Sequence, residues 1–258
     1  MTHVLAVANQ KGGVAKTTTV HALGAAWSER GRRVLLVDLD PQACLTFSTG
    51  TDPDELPASL HEVLLGRAGI RDVVISCDGV DLVPASIDLA GAEVHLLTRP
   101  GREYGVRRAL DQVRSGYDVI LIDCPPSLGV LTINGLTAAD RVLVPLQCET
   151  LSHRGVGQLL ETVGDVRSFT NESLAVLGVV ATMTTRAPGW PGRPWRRSAR
   201  PTGWRCSSRR SRSRCGWRRR RGAAVRCSAT RRGPGARMPT APWPRRSMTF
   251  SPAVPDDP

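Results

Sequence analysis

A glycine- and lysine-rich segment, NQKGGVAKTTT at residues 9–19, separates two patterns that predict regular structure. The preceding HVLAVA, residues 3–8, is a short apolar run typical of a buried strand. The following KTTTVHALGAAWSERG, residues 16–31, is helical in pattern and ends at Gly31. A strand that turns directly into a helix favours α/β folds in which the loop between them binds anions.

The same alternation of apolar runs and helical patterns continues to residue 183. Further strands are predicted at 33–40, 80–86, 117–127, 141–147 and 174–183, and further helices at 59–66, 87–97, 102–116, 129–140 and 154–169. In the helix at 59–66, Ser59 and Glu62 form the pattern of a capping box. Strands that are apolar on both faces predict a mostly parallel sheet with helices on both sides.

The residue types within the loop point to phosphate binding. Gly12 and Gly13 allow backbone N–H groups to approach a polyphosphate and turn around it. Lys16 can reach the β- and γ-phosphates, and the Thr17 hydroxyl can ligate Mg²⁺. Lys11 and Lys16 are the only lysines in a chain whose other cationic residues are arginines. A glycine-rich turn with an incidental lysine is the alternative, but the strand–loop–helix context favours a P-loop NTPase-like fold.

Five segments resemble, in order, the motifs of the ParA/MinD family of ATPases. KGGVAKTT at 11–18 resembles the deviant Walker A motif, which has an additional lysine before two glycines. The other four are LLVDLDPQ (35–42), PASIDLAGAE (84–93), VILIDCPPSLG (119–129, the Walker B motif) and VLVPLQCETLSHRGVGQLL (142–160). The resemblance covers about residues 3–183 and is closest to the small, Soj-like ParA type.

The resemblance implies an ATP and Mg²⁺ site. The implied nucleotide-binding residues are Lys11, Gly12, Gly13, Val14, Ala15, Lys16, Thr17 and Thr18. Thr17 and Asp123 would hold the metal, Asp123 through its hydration shell, and the implied catalytic residues are Lys11, Lys16 and Asp40. Asp40 would orient the attacking water; alternatively, it only caps the turn before Pro41. Asp38 is expected to be structural. Ala15 replaces a glycine common in the family, a change expected to be tolerated.

The resemblance also implies partners. Lys11 would be the signature lysine, which reaches across an ATP-bound homodimer to the nucleotide of the other subunit. The dimer would bind DNA non-specifically, and a ParB-like protein would stimulate ATP hydrolysis during chromosome or plasmid partitioning. The N-terminus has no signal-peptide pattern, and no apolar run reaches the roughly 18 residues of a membrane span. We therefore expect a cytoplasmic, nucleoid-associated protein without a membrane partner.

The composition changes sharply after Met183. Residues 1–183 carry 15 Lys and Arg against 21 Asp and Glu, whereas residues 184–258 carry 20 Arg against two Asp. The second segment has no Leu or Ile but has 11 of the 19 prolines. It cannot bury enough apolar surface to offset its ordering entropy, so this Arg/Pro/Trp-rich tail is predicted to be disordered. The ParA-type domain therefore ends near Met183 and is incomplete on its C-terminal side.

Our hypothesis for this change is a frameshift near codon 184. Scarce lysine and abundant arginine, alanine and glycine indicate a GC-rich gene. Read in the neighbouring frame, the codons of residues 184–195 and 208–221 can encode two ParA-like sequences in the family's order. The family's later strands and final helix are then missing, and the exposed sheet edge is expected to favour aggregation.

The sequence bears on two other functions. A catalytically inactive P-loop domain with a basic nucleic-acid-binding tail is the alternative to the ATPase, because 20 arginines can neutralise phosphates without any family mechanism. A dinucleotide-dependent oxidoreductase is disfavoured, since no GxGxxG follows the first strand. The seven cysteines show no CxxC spacing, so the sequence supports neither a zinc site nor a disulfide framework.

Overall fold

A computed structural model of the chain describes residues 2–147 and 152–183. Its strands are β1 (His3–Val7), β2 (Val34–Asp38), β3 (Ile75–Cys77), β4 (Val80–Val83), β5 (Val119–Asp123), β6 (Arg141–Gln147) and β7 (Ala175–Thr182). Its helices are α1 (Lys16–Ser28), α2 (Cys44–Ser48), α3 (Leu60–Leu65), α4 (Ile70–Val73), α5 (Leu89–Leu96), α6 (Gly105–Asp111), α7 (Val130–Ala138) and α8 (Ser152–Phe169). The predictions for the tail at 184–258 lie outside the described residues.

The strands form one sheet in the order β3-β4-β2-β5-β1-β6-β7. Every pairing is parallel except that of β3 with β4. All residues of β2 and β5 are buried, as the continuous apolar runs predict. The mostly parallel α/β fold is confirmed.

Successive residues of each central strand face two separate cores. On one face, Leu5 and Val7 of β1 pack with Leu36 of β2 under Val20 of α1. On the other, Val4 and Ala6 belong to a larger core whose helical residues come from α3 to α8, including Leu64, Leu89, Leu131 and Leu159. Because side chains alternate between the faces of a strand, both helical layers bury apolar surface against the same sheet. The expectation of helices on both faces is confirmed.

The antiparallel hairpin of β3 and β4 was not predicted. Its two-residue turn consists of Asp78 (φ 37°) and Gly79 (φ 84°). A turn with positive φ at both central residues suits the twist of a tight hairpin, and Asp-Gly is one of the dipeptides that favour it. The dipeptide was therefore a usable signal, but β3 has only three residues and no fully buried side chain.

The single helix predicted at 102–116 is wrong in extent. The structure has a 3-10 turn at Arg102–Tyr104, then α6, then a second 3-10 turn at Arg114–Gly116. The buried side chain of Asn134, on α7, accepts a hydrogen bond from the Val106 N–H at 3.1 Å and thereby caps the first turn of α6. Such a cap comes from a residue distant in sequence, so local periodicity does not reveal it.

At the β7 side the sheet is less well covered. None of the eight residues of β7 is fully buried, whereas β2 and β5 are buried throughout. The longest helix, α8, packs Leu159, Val163 and Val166 into the larger core. Within residues 2–147 and 152–183, no helix is both long and apolar enough to cross a membrane.

Gly24 allows α1 to lie close to the sheet. A Cβ at this position would lie 2.7 Å from Cδ2 of Leu36, a fully buried side chain that has little room to move. We therefore expect Gly24→Ala to lower the free energy of unfolding by about 1–3 kcal/mol through overpacking, although alanine favours helices. Urea denaturation measures this change.

Gly157 of α8 supplies the matched control. A Cβ there meets nothing within 4 Å, so Gly157→Ala should raise the free energy of unfolding by about 0.5–1 kcal/mol. If the two alanine variants changed stability in the same direction, the close packing of α1 on β2 would be the wrong explanation.

Candidate nucleotide site

The predicted site residues converge at the carboxyl ends of three adjacent strands. In the sheet register, Asp123 is aligned with Val7 of β1 on one side and with Asp38 of β2 on the other. The loop after β1, the Asp40 turn after β2 and the last residue of β5 therefore meet at one edge. This is the edge at which open parallel sheets bind ligands.

The loop between β1 and α1 takes the sharp turns that its glycines predict. Gly12 and Gly13 are exposed, and Gly13 has φ 71°. The next turn falls at Ala15, with φ 67° and ψ 37°, a left-handed conformation that costs a non-glycine residue about 1–2 kcal/mol. No described side chain caps α1, so its first backbone N–H groups remain able to bind an anion at the helix N-terminus.

Lys16 is the first residue of α1 and is only 7% exposed. Its ammonium donates a hydrogen bond to the backbone carbonyl of Lys11 at 3.2 Å. Burial lowers the pKa of Lys16 below its ordinary value, and the nearby carboxylates of Asp123 and Asp40 offset only part of this decrease. The lysine is thus held inside the loop, next to two of the acids that the sequence singled out.

Asp123 is 1% exposed, and neither carboxylate oxygen has a hydrogen-bond partner within the described part of the chain. Burial raises the pKa of Asp123 to about 8; Asp38 and Asp40 act in the same direction, and Thr17 and Lys16 against it. A buried, unsatisfied carboxylate is unfavourable unless a cation approaches it. Together with the Thr17 hydroxyl, it fits the oxygen ligands that Mg²⁺ prefers.

Asp38 links three segments of the chain. Its carboxylate accepts hydrogen bonds from the N–H of Asp40 at 3.2 Å and from both the N–H and the hydroxyl of Thr46 at 2.8 Å. The Thr46 hydroxyl in turn accepts from the N–H of Ala85 at 3.0 Å. Burial raises the pKa of Asp38 to about 6, and the bonds from Thr46 and Asp40 oppose it. These contacts fit the structural role expected for Asp38.

Thr46 was not singled out from the sequence, because α2 was not predicted. Thr46→Val would remove the hydroxyl that donates to Asp38 and accepts from the Ala85 N–H. Both Thr46 and Asp38 are buried. We expect a loss of about 1–3 kcal/mol in the free energy of unfolding. Thr46→Ser keeps the hydroxyl and should retain most of that stability in the same denaturation experiment, so equal losses in the two variants would contradict the role of the hydroxyl.

Both interpretations of Asp40 have a structural counterpart. Oδ1 of Asp40 accepts a hydrogen bond from the Gln42 N–H at 3.0 Å, and its carbonyl accepts from the Ala43 N–H at 2.9 Å. Asp40 therefore caps the turn after β2. It also lies close enough to Lys16 to influence the pKa of the ammonium. Its water-orienting role stays a prediction.

Lys11 lies at the entrance of the loop and contacts the end of β6. Its N–H donates to Oδ1 of Asn9 at 3.0 Å, and its ammonium donates to Oε1 of Gln147 at 2.9 Å. The buried amide of Asn9 donates to the carbonyl of Pro145 at 2.6 Å. Asn9 and Gln147 were not predicted as site residues, because only the tertiary fold places the end of β6 beside the loop.

The remaining predicted residues flank this centre. Val14 is buried, and its carbonyl accepts a hydrogen bond from the hydroxyl of Thr182, the last residue of β7, at 3.0 Å. Thr18 is exposed on the first turn of α1. In residues 2–147 and 152–183, no group of three or more His, Cys, Asp or Glu side chains forms a separate metal site.

Comparison with known proteins agrees with this architecture. Residues 2–176 match the protein family described as AAA domain. The sporulation initiation inhibitor protein Soj of Bacillus subtilis is 45% identical over 185 residues, which are 71% of this chain and 73% of Soj. The chromosome partitioning protein ParA of Caulobacter vibrioides is 46% identical over 187 residues, which are 71% of this chain and 70% of that protein.

Among solved structures, one from Mycobacterium smegmatis is 65% identical, with a TM-score of 0.69 over 70% of this chain and 75% of that chain. Its description is cobyrinic acid a,c-diamide synthase with bound ADP and magnesium. A second structure described by the same name holds an ATP analog and magnesium. The fold and the loop thus define a P-loop ATPase domain. The chain belongs to the ParA/MinD family, as the resemblance of its motifs predicted.

Proposed function

We propose that this chain is a ParA-type ATPase of chromosome or plasmid partitioning that binds ATP with Mg²⁺. The observation that carries the proposal is the meeting of Lys16, Asp40 and Asp123 at adjacent strand ends, around a loop with two left-handed turns. The similarity to the chromosome partitioning protein ParA, and to Soj, supports the biological role.

Each residue has a defined task in the proposed site. Lys16 and the backbone N–H groups of residues 12–18 bind the phosphates, and Val14 and Ala15 shape the loop. Thr17 and Asp123 hold Mg²⁺, with Thr18 beside them. When bound, the ion neutralises charge on the phosphate oxygens. Asp40 orients the attacking water.

The proposed partners are a second copy of the chain, DNA and a ParB-like protein. In an ATP-bound homodimer, Lys11 of each subunit contacts the nucleotide of the other, so hydrolysis depends on pairing. The dimer binds DNA non-specifically and is cytoplasmic and nucleoid-associated. The ParB-like protein stimulates hydrolysis during partitioning.

The segment at 184–258 is proposed to be the product of a frameshift, and resequencing across codon 184 tests this. An intact frame with no ParA-like continuation in the neighbouring frame would overturn it. The 20 arginines of the segment can still bind DNA by counterion release. Truncation after Met183 separates the two functions: if DNA retention vanishes while ATP binding persists, the tail alone supplies the DNA affinity.

The central experiment measures ATP turnover with and without DNA for this chain, for a frame-corrected version and for its Lys16→Ala variant. In the frame-corrected version, we expect the rate of ATP turnover per chain to rise with protein concentration. Replacing Lys16 should abolish this turnover. Turnover that is independent of Lys16 would contradict the proposed site.

A second candidate is ATP-dependent amidation of cobyrinic acid, suggested by the name of the 65% identical structure. Both reactions use an ATP site, so nucleotide binding does not separate them. Turnover should rise with cobyrinic acid and an ammonia donor if the chain is an amidating enzyme. It should rise with DNA and a ParB-like protein if it is a partitioning ATPase.

A further inference from the structure

The end of β6 holds the beginning of the nucleotide loop at two points. The Asn9 amide donates to the carbonyl of Pro145, and the Lys11 ammonium donates to Oε1 of Gln147, two residues further along the strand. The helix after β6 approaches the same place, since a Cβ on Gly155 would lie 3.8 Å from Oδ1 of Asn9. β6 therefore holds both ends of the segment Asn9–Lys11, and α8 passes close to Asn9.

This contact helps to place the Lys11 ammonium at the end of β6. The N–H of Lys11 is held by Asn9, and the far end of its side chain is held by Gln147 of the same subunit. If a second copy is engaged as proposed above, a phosphate of its nucleotide competes with Gln147 for this ammonium.

We propose that Gln147 is a positioning residue for Lys11, which it holds in a resting position within its own subunit until nucleotide-bound chains pair. The destination of Lys11 rests on the proposed function, whereas its contact with Gln147 does not. A glutamine amide is a neutral acceptor, whereas a phosphate oxygen carries a charge opposite to that of the ammonium, so the ionic attraction favours the bond to phosphate. A phosphate of the partner's nucleotide therefore competes successfully, whereas a carboxylate at position 147 would retain the lysine.

The chain offers an unusually direct test, because Lys11 and Lys16 are its only lysines. An amine-reactive acylating reagent therefore labels only these two side chains and the N-terminus, and peptide mass spectrometry separates the three. In the nucleotide-free full-length chain, Gln147→Ala should speed acylation of Lys11 about fivefold, the factor that corresponds to a net hydrogen bond of about 1 kcal/mol. Acylation of the buried Lys16 should not change.

Two further variants make the result specific. Gln147→Glu keeps an oxygen acceptor and should restore or deepen the protection of Lys11. Gln112→Ala removes an exposed glutamine of the region after α6, which donates to the Arg108 carbonyl, and should leave Lys11 at its original rate. An unchanged Lys11 rate in Gln147→Ala would overturn the proposal. So would faster labelling of both lysines, since that would indicate general opening of the loop.

Self-association tests the destination of Lys11 separately. With ATP and Mg²⁺, dimer formation by Gln147→Ala should reach half-saturation at about 1/25 of the original protein concentration, because each dimer releases two Lys11 side chains at about fivefold each. Gln147→Glu should need a higher concentration than the original chain. In a Lys11→Ala background, both substitutions should lose their effect. If labelling responds as expected but no dimer forms at any concentration, the resting contact stands and the proposed dimer does not. A dimerisation effect that persists without Lys11 would overturn the positioning role.

Discussion

Replacing Lys16 with alanine is expected to weaken ATP binding by about 100-fold. The ammonium is buried beside the loop and lies near Asp123 and Asp40, where the proposed site places its contact with the phosphates. Hydrogen bonds to charged groups contribute about 1.5–3 kcal/mol each, and a lysine within a phosphate loop makes more than one. Titration with a fluorescent ATP analogue measures the loss directly.

Lys11→Ala is the matched control, because it removes the only other lysine of the chain from the same loop. The ammonium of Lys11 lies at the end of β6 rather than among the acids of the site. We therefore expect Lys11→Ala to leave ATP binding by the single chain nearly unchanged and to lower turnover that depends on pairing. If the two variants lost ATP affinity equally, the division of roles between the two lysines would be wrong. Thermal melting of each variant shows whether the fold is retained.

The main architecture could be predicted from the sequence because the signals are local. The continuous apolar runs of β2 and β5 predict strands buried on both faces, and the Ser59 capping box predicts the start of α3, where the structure has both of its hydrogen bonds. The loop from Gly12 to Lys16 has a distinctive composition. These features depend on few residues that are adjacent in sequence.

The residues that were missed depend on contacts between distant segments. Thr46 matters because its hydroxyl connects Asp38 to the N–H of Ala85, and Gln147 because β6 ends beside Lys11. Neither residue belongs to a local pattern of its own. Ala15 illustrates a different limit: its identity is known from the sequence, but its left-handed backbone is visible only in the folded loop.

Asp123→Asn is expected to stabilise the nucleotide-free protein at pH 8 and to destroy its response to Mg²⁺ and ATP. In the folded chain, burial raises the pKa of Asp123 to about 8 from an ordinary value of 3.8. Between these values the folded state retains a proton that the unfolded state has released. Stability therefore falls as the pH rises from about 4 to about 8.

Asparagine removes this titration, since it has the same shape but no charge. At pH 8 it should raise the free energy of unfolding by about 1–3 kcal/mol in the absence of ligand, because the buried negative charge no longer forms. The slope of stability between pH 6 and 8 should largely vanish, whereas the contribution of Asp38, whose pKa is raised to about 6, should persist at lower pH. Thermal denaturation across this range measures both effects.

When Mg²⁺ and ATP are bound, the Asp123 carboxylate should stabilise the folded chain instead of destabilising it. A bound cation favours the charged carboxylate, so ligand should stabilise the original chain most at high pH and should hardly stabilise Asp123→Asn. Asp111→Asn, which removes an exposed carboxylate of α6, should alter neither the pH slope nor the response to ligand. A pH slope that is the same in Asp123→Asn as in the original chain would mean that another group titrates. Retained stabilisation by Mg²⁺ would mean that the ion is held elsewhere.

A buried acid that destabilises the empty site and stabilises the filled one would link folding of the loop region to nucleotide binding, because the same carboxylate sets both free energies.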